Sequence, residues 1–227
     1  MPSLKELENQ YGQPDILIDS FNSKYKRYAI WGFEEILQIK KSGIYLDDKL
    51  IKDDWNKVFQ NTISRWKKEA SNQQLACAGF VSYEFKDYLY THIKFNKKLD
   101  DTFPYLWFCK PKIIKEYNLN ESDYSTTKEK LTLNQDIISL EKYNSKIDQI
   151  KKYLKNGDVY QINFTDKKNF DLNKINSFSL YQALRIIAKP QEGFFMRTDD
   201  FDILSLSPES FLKIEDGIIE TSPIKGT

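Results

Sequence analysis

The sequence predicts an α+β fold built of antiparallel sheets flanked by helices. Three observations predict it. Residues 52–69 and 141–155 carry apolar side chains three and four positions apart, the spacing of one helical face. Short apolar runs bounded by polar turn residues, such as Ile16–Ile18, Tyr28–Trp31 and Leu75–Tyr83, read as buried strands. Asp216-Gly217 stands between two strand-like runs, a hairpin signal because glycine accepts the positive φ of a tight turn. Helices mixed with hairpins in this way define the class.

Residues 1–46 read as strand-rich, with Ile16-Leu17-Ile18 and Tyr28-Ala29-Ile30-Trp31 separated by Asn22-Ser23-Lys24. Trp55, Val58, Phe59, Ile63 and Trp66 then form the stripe of an amphipathic helix. Leu75–Tyr83 follows as a strand, Asp100–Pro104 as a turn and Tyr105–Cys109 as a further strand. Residues 117–135 are polar and are expected to form a loop between an N-terminal region, 1–116, and a second region, 136–227. Glu141–Lys155 places Tyr143, Ile147, Ile150 and Leu154 on one helical face, and Asn156-Gly157 supplies its C-cap. Val159–Thr165 alternates apolar and polar residues, which predicts a strand with one face inside. A helix over Ser179–Ala188 stops before Pro190, and strands over Asp202–Ser205, Glu209–Glu215 and Ile218–Ser222 complete the chain.

Composition narrows the function classes. The 227 residues can bury a real core, and 40% hydrophobic with 15% aromatic content excludes a disordered chain. Lys+Arg 34 against Asp+Glu 33 leaves a net charge of +1, no electrostatic footprint for nucleic acid or an anionic membrane. No apolar run approaches membrane-spanning length and the first eight residues lack a signal core, so a cytoplasmic location is expected. Two cysteines, Cys77 and Cys109, are too few and too far apart for a metal knuckle or disulfide framework, and Cys77 sits in an apolar run as a small hydrophobe. A single histidine, His92, builds neither a triad nor a histidine metal site, and is expected to be structural or on the surface.

Three segments carry chemistry: Gly157-Asp158-Val159-Tyr160-Gln161-Ile162-Asn163-Phe164, Ser207-Pro208-Glu209-Ser210-Phe211-Leu212 and Pro223-Ile224-Lys225-Gly226-Thr227. Read singly, each has a bland reading. Lys225 is a surface charge, Glu209 a solvated edge residue, and Gln161 the wet side of an alternating strand.

Their order and spacing resemble the chorismate-binding family, which includes anthranilate, aminodeoxychorismate, isochorismate and salicylate synthases. The resemblance runs from about Tyr143 to Thr227 and takes in Leu184-Arg185 and Pro190; the front half resembles the family only loosely, through Ile18-Asp19-Ser20 and Gly79–Glu84. It implies the two-layer, anthranilate synthase-like fold, with 136–227 as the start of the catalytic domain. Water-adding members have a lysine where this chain has Gln161, so Gln161 resembles the amine-adding branch. Pro-Ile-Lys-Gly-Thr is characteristic of aminodeoxychorismate synthases, whereas anthranilate synthases have alanine at the position of Lys225. Anthranilate synthase remains the alternative within the family, and a non-catalytic fragment the alternative outside it.

The resemblance also implies roles. Lys225 is the nucleophile that bonds to chorismate, Glu209 the general acid, and Gln161, Gly226 and Thr227 contact substrate. Ammonia comes from a separate glutamine amidotransferase subunit. Magnesium belongs to glutamates that family members carry beyond this motif, so no residue here is assigned to the metal and no catalysis is expected from this chain alone. A neutral lysine at pH 7 requires a site that lowers its pKa from ~10.4, while a proton-donating Glu209 requires the opposite shift. Some related subunits hold tryptophan beside a Leu-Leu-Glu-Ser element; Leu17-Ile18-Asp19-Ser20 departs from it and reads as a core strand followed by a turn.

Overall fold

The computed structural model describes residues 1–22, 25–70, 75–93, 103–120, 132–133, 138–172 and 174–222. In chain order the elements are α1 (Leu4–Tyr11), β1 (Ile16–Asp19), β2 (Tyr28–Lys40), β3 (Gly43–Leu46), β4 (Lys49–Ile51), α2 (Trp55–Glu69), β5 (Ala78–Val81), α3 (Phe85–Leu89) and β6 (Leu106–Glu116). They continue with β7 (Thr132–Leu133), α4 (Leu140–Asn156), β8 (Phe170–Asp171), α5 (Ser177–Ala188), β9 (Glu192–Arg197), β10 (Asp202–Ser207), β11 (Lys213–Glu215) and β12 (Ile218–Glu220). This is the antiparallel α+β architecture that the sequence predicts.

An eight-stranded sheet dominates, with the order β10-β9-β1-β2-β3-β4 and with β6 joining β2 to β5. Its spine is the 13-residue β2. One edge of β2 pairs with β1 through Tyr28–Ile30 and with β3 through Leu37–Lys40, while the other edge runs along β6. Between these two halves the register shifts at Phe33/Glu35, and Pro111 lies opposite Phe33, a place where a residue without an N–H does no harm. Strands from both sides of residues 117–135 share the sheet, because β1 pairs with β9.

Strand alternation divides the core. Leu17, Ala29, Trp31 and Phe195 pack with α1 and α5 through Leu4, Leu7, Phe178 and Tyr181. Their neighbours Ile16, Ile30 and Met196 pack instead with Trp107 and Cys109. Beyond the bulge, Leu37 and Ile39 meet Trp66 and the partly buried Trp55, Val58, Phe59 and Ile63 of α2, which is the predicted helical stripe. Trp66 is fully buried, and its indole N–H donates to Glu35 Oε2.

Several expectations need correction. The segment Val159–Thr165 is not a strand: it is irregular and exposed, and Phe164 packs on Tyr143 of α4 with ring centroids 5.6 Å apart. Alternation makes a strand only when a neighbour takes the backbone hydrogen bonds, and no described strand pairs with this segment. Helix α4 forms with Gly157 in the left-handed conformation (φ 77°), as its sequence predicts, yet none of its residues is fully buried. The strand expected from Glu209 begins only at Lys213. Helix α1 and strand β9 went unpredicted, although the capping box of Ser3 and Glu6 is a readable start signal. His92 is exposed, as expected, and Cys109 is buried. Among the described residues no helix is long and apolar enough to cross a membrane.

Candidate active site

A turn places Glu209. Strand β10 pairs with β9 as far as Ser207, and Pro208, lacking an N–H, ends the ladder. The Ser207 hydroxyl donates to the Glu209 carbonyl oxygen at 2.8 Å and accepts from the Glu209 N–H at 3.3 Å. This local closure is typical of serine in turns. It leaves the Glu209 side chain half-buried at the edge of a cavity of about 760 Å³.

The cavity lies between two parts of the chain. Ser207–Lys213 contributes Glu209, Phe211 and Lys213, while the end of β1 and the start of β2 contribute Asp19, Ser20, Tyr25, Lys26 and Tyr28. Three acidic residues with accessible side chains line it, Glu192, Glu209 and Glu215, against two cations, Lys26 and Lys213, and the carboxylate of Asp19 lies shielded behind them. Both lysines are paired, Lys26 with Glu116 at 3.6 Å and Lys213 with Glu215 at 2.6 Å. The bond to Glu215 raises the Lys213 pKa and lowers that of Glu215. Burial raises the Tyr28 phenol, the nearby Lys26 opposing it.

Behind this border sits a buried ion pair. Arg185 Nη1 of α5 donates to Asp19 Oδ2 at 2.6 Å, and both side chains are wholly shielded from solvent. Arg27 approaches the other carboxylate oxygen at 3.7 Å. The phenol oxygens of Tyr117 and Tyr181 are buried near Asp19 without a well-formed hydrogen bond among the described residues. Desolvation, then the charge of Asp19, pushes both phenol pKa values far up. Desolvation works to lower the Arg185 pKa, but the Asp19 charge and both phenols outweigh it and the net shift is upward.

Of the sequence-derived site residues, the structure sets Glu209 in this cavity. Gln161 is exposed on the irregular segment and is not among the cavity's described lining. Lys225, Gly226 and Thr227 lie outside the described residues. Among the described residues no group of three or more His, Cys, Asp or Glu side chains is gathered to hold a metal ion, so none is assigned to magnesium. Motif reading did not single out Tyr25, Lys26, Tyr28, Glu192 and Lys213. They reach the cavity through tertiary pairing, and no local pattern marks them.

Residues 13–227 match the family model described as chorismate binding enzyme. The chain belongs to that family. Over 246 aligned residues it is 24% identical to aminodeoxychorismate synthase component 1 of Bacillus subtilis (strain 168), covering 88% of this chain and 52% of that protein. It is 36% identical over 90 residues to aminodeoxychorismate synthase component 1 of Klebsiella aerogenes, covering 40% of this chain and 20% of the relative. It is also 31% identical over 121 residues to anthranilate synthase component 1 of Acetivibrio thermocellus, covering 53% of this chain and 23% of the relative. The fold is similar to that of anthranilate synthase component I from Streptococcus pneumoniae TIGR4, with a TM-score of 0.67 at 15% identity over 85% of this chain and 52% of that one. The chain thus spans about half the length of the Bacillus relative and of the solved chain. Chorismate-binding relatives of both kinds match, so the comparisons reach the family and not the individual member.

Proposed function

We propose that this chorismate-binding chain belongs to an aminodeoxychorismate synthase component I, which makes 4-amino-4-deoxychorismate from chorismate and ammonia on the route to para-aminobenzoate and folate. The observation that carries the reading is Lys225 within Pro223-Ile224-Lys225-Gly226-Thr227, in a family member whose Glu209 borders a cavity sixteen positions upstream (225 − 209 = 16). Gln161 supports it, because an amide cannot take the proton from a water nucleophile.

In this reading the neutral Lys225 amine forms a bond to ring carbon 2 of chorismate while the carbon-4 hydroxyl departs with a proton from Glu209. Ammonia then bonds at carbon 4 and the lysine leaves carbon 2 with its electron pair. The covalent step divides one difficult substitution into two easier ones. Chorismate is a dianion, and the described lining holds more carboxylates than cations. Positive charge must therefore come from groups other than Lys225, which acts as the neutral amine. Magnesium, when bound, would supply charge for the substrate carboxylates. A separate glutamine amidotransferase supplies the ammonia in the cell.

The test is product analysis on the full-length protein, given chorismate, an ammonium salt and magnesium. The expected product retains the enolpyruvyl group, and a substrate-derived mass appears on the Lys225 peptide. Lys225→Ala abolishes that mass. Anthranilate as the product, or an unchanged rate in Lys225→Ala, overturns the reading.

A further inference from the structure

We infer that Arg185 is a positioning residue for the cavity, acting through Asp19 to hold residues 20–22, whose Ser20 lines the cavity with Glu209. The inference that this segment positions a substrate rests on the chorismate reading above; that Arg185 orders it does not.

The segment begins where β1 ends, and every described backbone N–H from Ser20 to Asn22 has an assigned acceptor. Ser20 N–H donates to Asp19 Oδ1 at 2.9 Å, Phe21 N–H to the Pro190 carbonyl at 3.0 Å, and Asn22 N–H to the Ser20 hydroxyl at 3.0 Å. Arg27 Nε closes the far side by donating to the Ser20 carbonyl. Two of these contacts depend on α5 or the residues just after it, since Asp19 is oriented by Arg185 and Phe21 is held by Pro190. Helix α5 is itself fixed at its start by Asn176, whose side chain accepts from Phe178 N–H and Ser179 N–H.

The Asp19 carboxylate uses its two oxygens for different tasks. Oδ2 takes the Arg185 guanidinium, while Oδ1 takes the Ser20 amide and faces Arg27. Without Arg185 the carboxylate is buried with one oxygen unmatched, and it must rotate, draw in water or be protonated. Rotation breaks the hydrogen bond from the Ser20 amide outright, and water or a proton at Oδ2 removes the anchor that fixes the carboxylate's orientation toward it. A purely structural ion pair behaves differently: replacing both partners with apolar groups restores stability, because neither buried charge is then left unpaired.

Hydrogen exchange separates the two roles in the chain as it exists. In Arg185→Met, amides of residues 20–22 exchange roughly a hundredfold faster, the change expected when a buried pair loses one partner. The β2–β6 amides around Leu37 and Phe108 serve as the global reference. In Asp19→Leu/Arg185→Met, the unfolding midpoint and the β2–β6 protection return, while residues 20–22 stay fast. Return of protection at 20–22 in the double variant, or no change there in Arg185→Met, overturns the inference. Calorimetric titration with chorismate forms a separate arm. Absence of binding by the full-length protein with magnesium present refutes the chorismate reading of the cavity, whereas exchange still decides the role of Arg185. Where chorismate binds, the double variant loses at least roughly tenfold in affinity despite its recovered stability.

Discussion

Gly193→Ala tests the packing that joins the ion pair to the sheet. Gly193 lies in β9 opposite Asp19, and a Cβ there would sit 2.6 Å from Tyr181 Oη, 3.2 Å from Asp19 Cβ and 3.3 Å from Pro190 Cγ. Tyr181 cannot swing aside, because it is fully buried against Phe195 with ring centroids 5.6 Å apart. Forcing an atom into a filled core typically costs about 1–3 kcal/mol. Loss of glycine's freedom in the unfolded chain offsets about 0.4–1 kcal/mol of this. The expected net destabilisation is about 1–2 kcal/mol. Tyr181→Phe removes the nearest obstacle, an oxygen near Asp19 that makes no well-formed hydrogen bond, so alone it costs at most about 1 kcal/mol. In Gly193→Ala/Tyr181→Phe most of the loss is recovered, giving a coupling of about 1 kcal/mol in a double-mutant cycle. Urea unfolding followed by tryptophan fluorescence reports it, since Trp66 and Trp107 are buried at 0% and 2% exposure. A double variant as unstable as Gly193→Ala, with equal slopes, refutes the reasoning. Gly79→Ala is the contrast: its Cβ would meet the Trp107 carbonyl oxygen, and no side-chain deletion relieves a clash with backbone.

Two further outcomes follow from ionisation. The Ser3 backbone N–H, then the Ser3 hydroxyl, lowers the Glu6 pKa, so the folded value lies below the unfolded one. The contribution of Glu6 is therefore present above the ordinary carboxylate range and is lost as pH falls through the lowered value. Because the backbone bond is the larger cause, Ser3→Ala returns the Glu6 titration, followed by NMR, only part of the way; full return contradicts that ranking. Burial raises both thiol pKa values, most strongly that of Cys109. At pH 8 a disulfide reagent should therefore modify Cys77 slowly and Cys109 only after unfolding. Equal, rapid labelling of the two in the native chain contradicts the burial.

The sequence was most informative where interactions are local. Residues four apart on a helix are neighbours whatever surrounds them, so the stripe from Trp55 to Trp66 and the Gly157 cap were legible without a fold. The Asp216-Gly217 hairpin was legible for the same reason, with both residues at positive φ between β11 and β12. The motif series from Gly157 to Thr227 pointed to the family that the comparisons found. Val159–Thr165 marks the limit of such reading, since alternation states which faces differ and not whether a neighbouring strand exists.

By itself, then, the sequence determined the class of fold, the three longest helices and the chemistry-bearing motifs, because periodicity, capping and turn chemistry act over a few residues. Only the tertiary structure decided that Asp19 meets Arg185 across 166 residues, and that Tyr25, Lys26 and Tyr28 border the same cavity as Glu209. The physical reason is that strand pairing and charge burial are properties of distant segments brought together. Nothing in the immediate neighbourhood of Asp19 records that a guanidinium from α5 will take its second oxygen.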